Sequence, residues 1–167
     1  MSEKIRPSAE LLKHVRLLAA FEERELEKLV QLGSSRHYEP HTNIVIEGEL
    51  SWGIYFILAG KVRVFKRNRM TGESHDVGQL EQGSFFGEMS LVDHQPRSAS
   101  VKSLTESHVF FIDKKDFQKY LDDSDERKIR FYESCLQSIV NRLRETDENY
   151  VISQYQLWKR ALKKEAA

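Results

Sequence analysis

Apolar residues recur along the first part of the chain at intervals of three and four. Leu11, Leu12, Val15 and Leu18 are followed by Leu26, Leu29 and Val30, with Glu22, Glu23, Glu25, Glu27 and Lys28 supplying a solvated face. That period lines one side of an α-helix, so an amphipathic helical flank is expected. After Pro40 the rhythm shortens. Residues 43–46 and 54–58 are compact apolar runs, and in residues 61–66 apolar and basic side chains alternate. Alternation places one face inside and one in water, as in a half-buried strand. Gly60, between two such runs, is expected to turn a hairpin, and a second turn is expected at residues 70–73. Strand character resumes at residues 99–101 and 109–112. From Lys114 the helical period returns: Ile129, Tyr132, Leu136, Ile139 and Leu143 form a seam spaced 3, 4, 3 and 4. Polar residues 144–149 interrupt that seam, which Val151, Tyr155, Trp158 and Leu162 resume.

All eight glycines fall between Gly33 and Gly87, inside the strand-rich middle, and neither flank has any. Turn-rich sequence with several short strands points to a barrel or jelly roll. The fold class expected is therefore α+β: an eight-stranded β-roll flanked by N-terminal and C-terminal helices. Residues 1–127 would hold the N-terminal helices and roll, and residues 128–167 a helical lid or dimerisation arm.

Composition narrows the function classes. Of 167 residues, 40% are hydrophobic and 31% charged, the balance of a globular chain. Lys+Arg and Asp+Glu both total 26, so the neutral sum argues against a nucleic-acid binder. The single cysteine, Cys135, forbids an internal disulfide, and it sits where helix packing is expected. No apolar run approaches the roughly 20 residues of a membrane span. The first residues lack the apolar stretch of a secretory signal, so a cytoplasmic protein is expected. His37, His41, His75, His94 and His108 are scattered through expected turns, without the clustered spacing of a metal roll, and no metal site is expected. The aromatic set Tyr150, Tyr155 and Trp158 reads as a packing or docking face, and the basic tail at residues 159–164 as the end of a solvated helix. No nucleophile–base pair is visible, so the chain is not expected to be an enzyme.

The informative chemistry lies in residues 83–101, GSFFGEMSLVDHQPRSASV. Gly87 permits a tight turn or close backbone approach to a ligand. Residues 88–91 can form one helical turn, whose first N–H groups have no intrahelical acceptor and suit an anion. Pro96 ends any helix. The planar fork of Arg97 suits a phosphate, with Ser98 as a further donor and small Ala99 leaving room for a ring. Glu88 and Arg97 could hold a sugar hydroxyl and a phosphate together, or could simply pair with one another across the turn.

The two halves of this stretch, Phe86-Gly87-Glu88-Met89-Ser90-Leu91 and Pro96-Arg97-Ser98-Ala99-Ser100-Val101, resemble the phosphate-binding cassette of the cyclic nucleotide-binding domain family, which includes cAMP receptor proteins and protein kinase A regulatory subunits. The punctuating Gly48, Gly60 and Gly83 and the order of elements resemble that family too. The resemblance implies that Glu88 accepts from the ribose 2′-OH and that Arg97 pairs with the cyclic phosphate. It implies contacts from Phe86 and Ser90, from Ser98, and from the backbone at Gly87, Met89 and Ala99. cAMP is favoured over cGMP, although a hydroxyl at Ser98 is where some members select guanine. The C-terminal helices of the family close over the base and often pair subunits, which would enlist Leu136, Ile139, Val140 and Leu143 as lid or dimer residues. The resulting expectation is a stand-alone regulatory sensor of the bacterial type. Its partners would be a cyclic mononucleotide, a second copy through the C-terminal helices and an unidentified downstream protein, with no cofactor beyond cAMP or cGMP. The alternatives are a ligand-independent interaction module on the same fold and a DNA-binding regulator of the cAMP receptor protein type. The segment after the last strand is short for a winged helix-turn-helix.

Overall fold

The computed structural model describes residues 5–165, with side chains described through residue 159 and at Leu162. The first four residues of the segment read for a secretory signal, and the side chains of Arg160, Lys163 and Lys164 in the basic tail, lie outside the described residues. Eight strands form two four-stranded antiparallel sheets. They are β1 (Gly33–Tyr38), β2 (Asn43–Val45), β3 (Gly53–Ala59), β4 (Lys61–Arg67), β5 (Ser74–Glu81), β6 (Phe85–Phe86), β7 (Ser100–Ser103) and β8 (Ser107–Asp113). One sheet runs β1-β8-β3-β6 and the other β2-β7-β4-β5. Helices α1 (Ala9–Lys13), α2 (Glu23–Leu32), α3 (Met89–Asp93), α4 (Lys114–Asp122) and α5 (Asp125–Glu165) complete the chain. The α+β roll flanked by helices is thus the observed fold.

The apolar runs of β3 and β8 are continuous because both faces are covered. Ile54, Phe56 and Leu58 of β3, with Phe110 and Ile112 of β8, pack against Leu12, Phe21, Leu29, Phe117 and Phe131 of the helical layer. Tyr55, Ile57, Val109 and Phe111 point the other way, into the roll, and meet Val45, Val62, Phe86 and Val101. The alternation of a strand thus splits the core into two clusters that share one sheet.

The expected N-terminal helices are two: α1 ends at Lys13, a 3-10 turn covers Arg16–Leu18, and α2 begins anew. The Arg16 amide donates to the Gly83 carbonyl (3.0 Å), so the backbone leaves the helical ladder there. A capping box between Glu22 and Glu25 then starts α2. Gly60 does not close a hairpin, because β3 and β4 belong to different sheets. It turns a corner at φ 91°, pressed against the Glu106 carbonyl where no Cβ fits. Helix α5 runs unbroken for 41 residues through the polar stretch that interrupts the apolar seam. Phe131 and Cys135 are buried on it, while Ile129, Tyr132, Leu136, Ile139 and Leu143 are exposed. The apolar seam sits one residue, hence about 100°, around the helix from the face that meets the core.

Candidate functional site

The cassette is held in place from three sides. Phe86, on β6, pairs in register with Tyr55 of β3, and their rings stack at 4.7 Å. Gly87 follows at φ 93°, and a Cβ there would stand 2.5 Å from Arg97 Nη1 and 2.7 Å from the Gly53 carbonyl. Only glycine permits both that backbone and that approach. Helix α3 then runs from Met89 to Asp93. The Ser90 hydroxyl donates to the Gly87 carbonyl (2.9 Å) and also meets the Ser51 hydroxyl. At the far end of α3, His94 is left-handed (φ 57°), and Lys114 Nζ donates to the Ser90 carbonyl (2.6 Å) and lies 2.8 Å from His94 Nδ1. After Pro96, the Arg97 amide donates to the Glu49 carbonyl (2.8 Å), and the Gly48 amide donates to the Arg97 carbonyl (2.9 Å).

This scaffold points Arg97 inward. The residue is only 7% exposed. Nη2 donates to the Gly53 carbonyl (3.0 Å), and the guanidinium lies over the Tyr55 ring at 5.3 Å. Nη1 is buried with no hydrogen-bond partner among the described residues. Burial lowers the Arg97 pKa from its ordinary value, a pull partly offset by Tyr55, Glu88 and Glu49. A buried guanidinium with a spare donor costs stability unless an acceptor reaches it.

Glu88 is likewise buried, but it does not pair with Arg97. Its Oε1 accepts from Arg142 Nη1 of α5 (2.6 Å), and Arg142 Nη2 donates to the Phe85 carbonyl (3.1 Å). The simple Glu88–Arg97 salt bridge that the sequence left open is therefore not formed. Phe86, Gly87, Glu88, Met89, Ser90, Arg97, Ser98 and Ala99 all line one cavity of about 200 Å³. Met89 and Ser98 stand at its exposed rim, where the Ser98 hydroxyl meets the Met89 sulfur at 3.5 Å. Val45, Val64, Leu80 and Val101 of the roll form its apolar wall.

The fourth wall is α5, and the sequence reading missed which residues supply it. Arg142, Glu145, Thr146 and Asn149 line the cavity. Three of these four belong to the polar stretch read as an interruption, and polarity at helical spacing was the available signal. Leu136, Ile139, Val140 and Leu143 do not line it. Cys135 is buried among the core residues, and burial pushes its thiol up to about 12. Two histidines expected to be scattered are in fact neighbours: His37 and His108 meet with Glu106 at the other end of the roll.

The chain resembles known proteins in both sequence and shape. It is 36% identical over 110 residues to the cAMP-dependent protein kinase regulatory subunit of Yarrowia lipolytica, covering 66% of this chain and 28% of that protein. The chain spans about a third of the length of the kinase regulatory subunits it matches. The catabolite activator protein of Thermus thermophilus superposes with a TM-score of 0.68 and 26% identity, over 82% of this chain and 62% of that one. A cyclic nucleotide-binding domain from Methylobacillus flagellatus shares the fold at a TM-score of 0.73 and 22% identity, over 84% and 79% of the two chains. Residues 35–124, more than half of the 167, match the family model of the cyclic nucleotide-binding domain, spanning both sheets and the whole cassette. With eight strands in this order and the cassette folded around one cavity, the chain belongs to the cyclic nucleotide-binding domain family.

Proposed function

We propose that the cavity takes a cyclic mononucleotide, cAMP in preference to cGMP, and that the chain works as a non-enzymatic regulatory sensor. The observation that carries this reading is Arg97: buried, charged, short of one acceptor, and lining the same cavity as Glu88. A cyclic phosphate would supply the missing acceptor, with two parallel charge-assisted bonds available from the fork. Gly87 and the first turn of α3 would bring backbone N–H groups to the same anion. Glu88 would accept from the ribose 2′-OH, and the apolar wall from Val64 to Val101 would receive the base. Ser98 at the rim offers a hydroxyl to the base or the phosphate. No further cofactor is called for.

The cavity is smaller than the roughly 300 Å³ at which ligand pockets usually begin. Much of the space is closed by Arg142, Thr146 and Asn149 of α5. Nucleotide binding would therefore displace α5 or re-aim Arg142, since the ribose hydroxyl and Arg142 compete for Glu88. Such a shift is bounded by the ligand's differential affinity for the two arrangements. Residues 128–167 would form the moving arm, read by a second copy of the chain or a downstream protein. The exposed stripe of Leu136, Ile139 and Leu143, continued by Tyr155 and Trp158, is the surface for that pairing. Among the described residues no helix is long and apolar enough to cross a membrane, and the proposed setting is the cytoplasm.

Calorimetric titration of ligand-stripped protein with cAMP, cGMP and a cyclic dinucleotide tests the reading. Micromolar or tighter cAMP binding is expected, with Arg97→Ala costing about 2–5 kcal/mol of it. No heat from any of the three would remove the nucleotide reading and leave an interaction module built on α5.

A further inference from the structure

We propose that His37, Glu106 and His108 form a site for one divalent transition-metal ion of the zinc class. The site is independent of the nucleotide cavity. Antiparallel register sets His37 of β1 directly opposite His108 of β8, so both side chains leave the same face of the sheet. Their ring centroids are 4.8 Å apart. Glu106, two residues before His108, reaches that face as well. Its Oε1 lies 2.8 Å from His37 Nε2 and 3.9 Å from His108 Nε2. The three candidate donor atoms all fall within 4.8 Å of one another.

Tetrahedral zinc, with bonds of about 2.0–2.1 Å, sets neighbouring donors about 3.3 Å apart. Small side-chain rotations close the difference, and the backbone pairing need not change. Two imidazoles and a carboxylate are borderline donors that favour zinc, cobalt, nickel or copper over magnesium or calcium. A metal-bound histidine usually offers its other ring nitrogen to a carboxylate or carbonyl. Glu39 Oε1 stands 3.9 Å from His37 Nδ1, outside hydrogen-bond distance but close enough for a side-chain rotation to bring it to that role. His108 is buried, while His37 and Glu106 are 28% and 45% exposed in their side chains. The triad is thus anchored on one side and open to water on the other, which leaves a fourth position for a water molecule.

The location assigns a role. Arg97 bonds the Gly53 carbonyl at one end of β3, whereas His108 pairs with Ala59 at the other. Six residues of strand separate the two ends, about 20 Å. Among the described residues β1 is an edge strand that pairs with β8. An ion bridging His37 to Glu106 and His108 would pin that edge to the roll.

The full chain, without a histidine tag and stripped with a chelator, is titrated with zinc chloride alone by calorimetry and with cobalt(II) by visible absorption. One ion per chain is expected, with a rise in melting temperature and cobalt d–d bands typical of a four-coordinate site. His37→Gln and Glu106→Gln, both at partly exposed positions, each weaken binding roughly tenfold or more. Both should keep the parent's circular dichroism, and any loss of metal-free melting temperature should be smaller than the zinc-dependent rise. A His75→Gln control leaves binding intact. Absence of zinc binding, or binding unchanged in both triad variants, would overturn the proposal, the latter by moving the ion to other histidines.

Discussion

Two regions of this molecule each bury an arginine, and they handle it differently. At the α2–α4–α5 junction Arg127 is 6% exposed, and in the cassette Arg97 is 7% exposed. Each lies over a tyrosine ring, Arg127 at 3.9 Å from Tyr120 and Arg97 at 5.3 Å from Tyr55. Each donates to a main-chain carbonyl, that of Tyr120 or of Gly53. At the junction the charge is met by a carboxylate: Arg127 Nη1 stands 3.9 Å from Glu25, which also takes two bonds from Arg130 at 2.7 and 2.8 Å, although Arg127 Nε and Arg130 Nε, like Arg97 Nη1, are buried without a hydrogen-bond partner among the described residues. In the cassette Glu88 and Glu49 act on Arg97 without an ion-pair contact, and Glu88 pairs with Arg142 instead. A buried cation with an internal counter-ion is architecture. One whose carboxylates act on it only in part, facing a cavity, is an arrangement that an external anion would complete.

Exchange of the two arginines is the strongest way to break this comparison. Arg127→Ala leaves Glu25 paired with Arg130 but removes the bond from α5 to the Tyr120 carbonyl and the guanidinium over its ring, and is expected to cost about 1–3 kcal/mol of stability in urea unfolding. Arg97→Ala removes a buried charge that Glu88 and Glu49 offset only in part, so its stability in the absence of nucleotide should change less, while cAMP affinity falls roughly 30-fold or more. Equal destabilisation by both variants would show that Arg97 is architecture too. Gly87→Ala comes next. With φ at 93° and Arg97 Nη1 2.5 Å from the added Cβ, it should lose about 1–3 kcal/mol of stability and displace the guanidinium, lowering nucleotide affinity with it. Arg142→Ala leaves Glu88 buried without its partner, costing about 1–3 kcal/mol in urea unfolding. Saturating cAMP should narrow that gap, because the ribose hydroxyl offers Glu88 a replacement donor.

The same contrast explains what the sequence could reveal. The cassette is contiguous, and its residues are constrained by one turn and one short helix, so Gly87, Glu88 and Arg97 could be read directly. Strands β3 and β8, buried on both faces, announced themselves as apolar runs. β1 and β5 did not: the first is a polar edge strand, and the second is exposed along almost its whole length. Neither carries the alternation that marks a half-buried strand. The hairpin expected at Gly60 is absent because pairing partners are set by the whole roll and not by the turn. The meeting of His37 with His108, and of Arg142 with Glu88, joins residues far apart in the chain. Local pattern holds no trace of such contacts. On α5 the apolar seam drew attention, yet the face that meets the core and the cavity is the one carrying Phe131, Cys135 and Arg142.

Cys135 sharpens the comparison with the smallest effect, since it sits on α5 within the electrostatic reach of Glu88 and Arg142. Burial, reinforced by Glu88, lifts its thiol from 9.0 to about 12. A folded pKa above the unfolded one means that the native state holds its proton longer. Stability is therefore undiminished below pH 9 and falls as pH rises from there toward about 12. Between pH 9 and 10 the loss from one such group is at most about 1.4 kcal/mol. Cys135→Ala should flatten the urea midpoint over that interval. Tyr120, raised by burial from 10.0 to about 12, adds a slope of the same sign only above its own unfolded value. The buried thiol should also resist alkylation at pH 8 while α5 is docked. If cAMP moves α5, the labelling rate changes with ligand in the parent and stays fixed in Arg97→Ala. A rate that ignores cAMP in saturated protein would mean that α5 stays docked on the core and that the signal travels by another route.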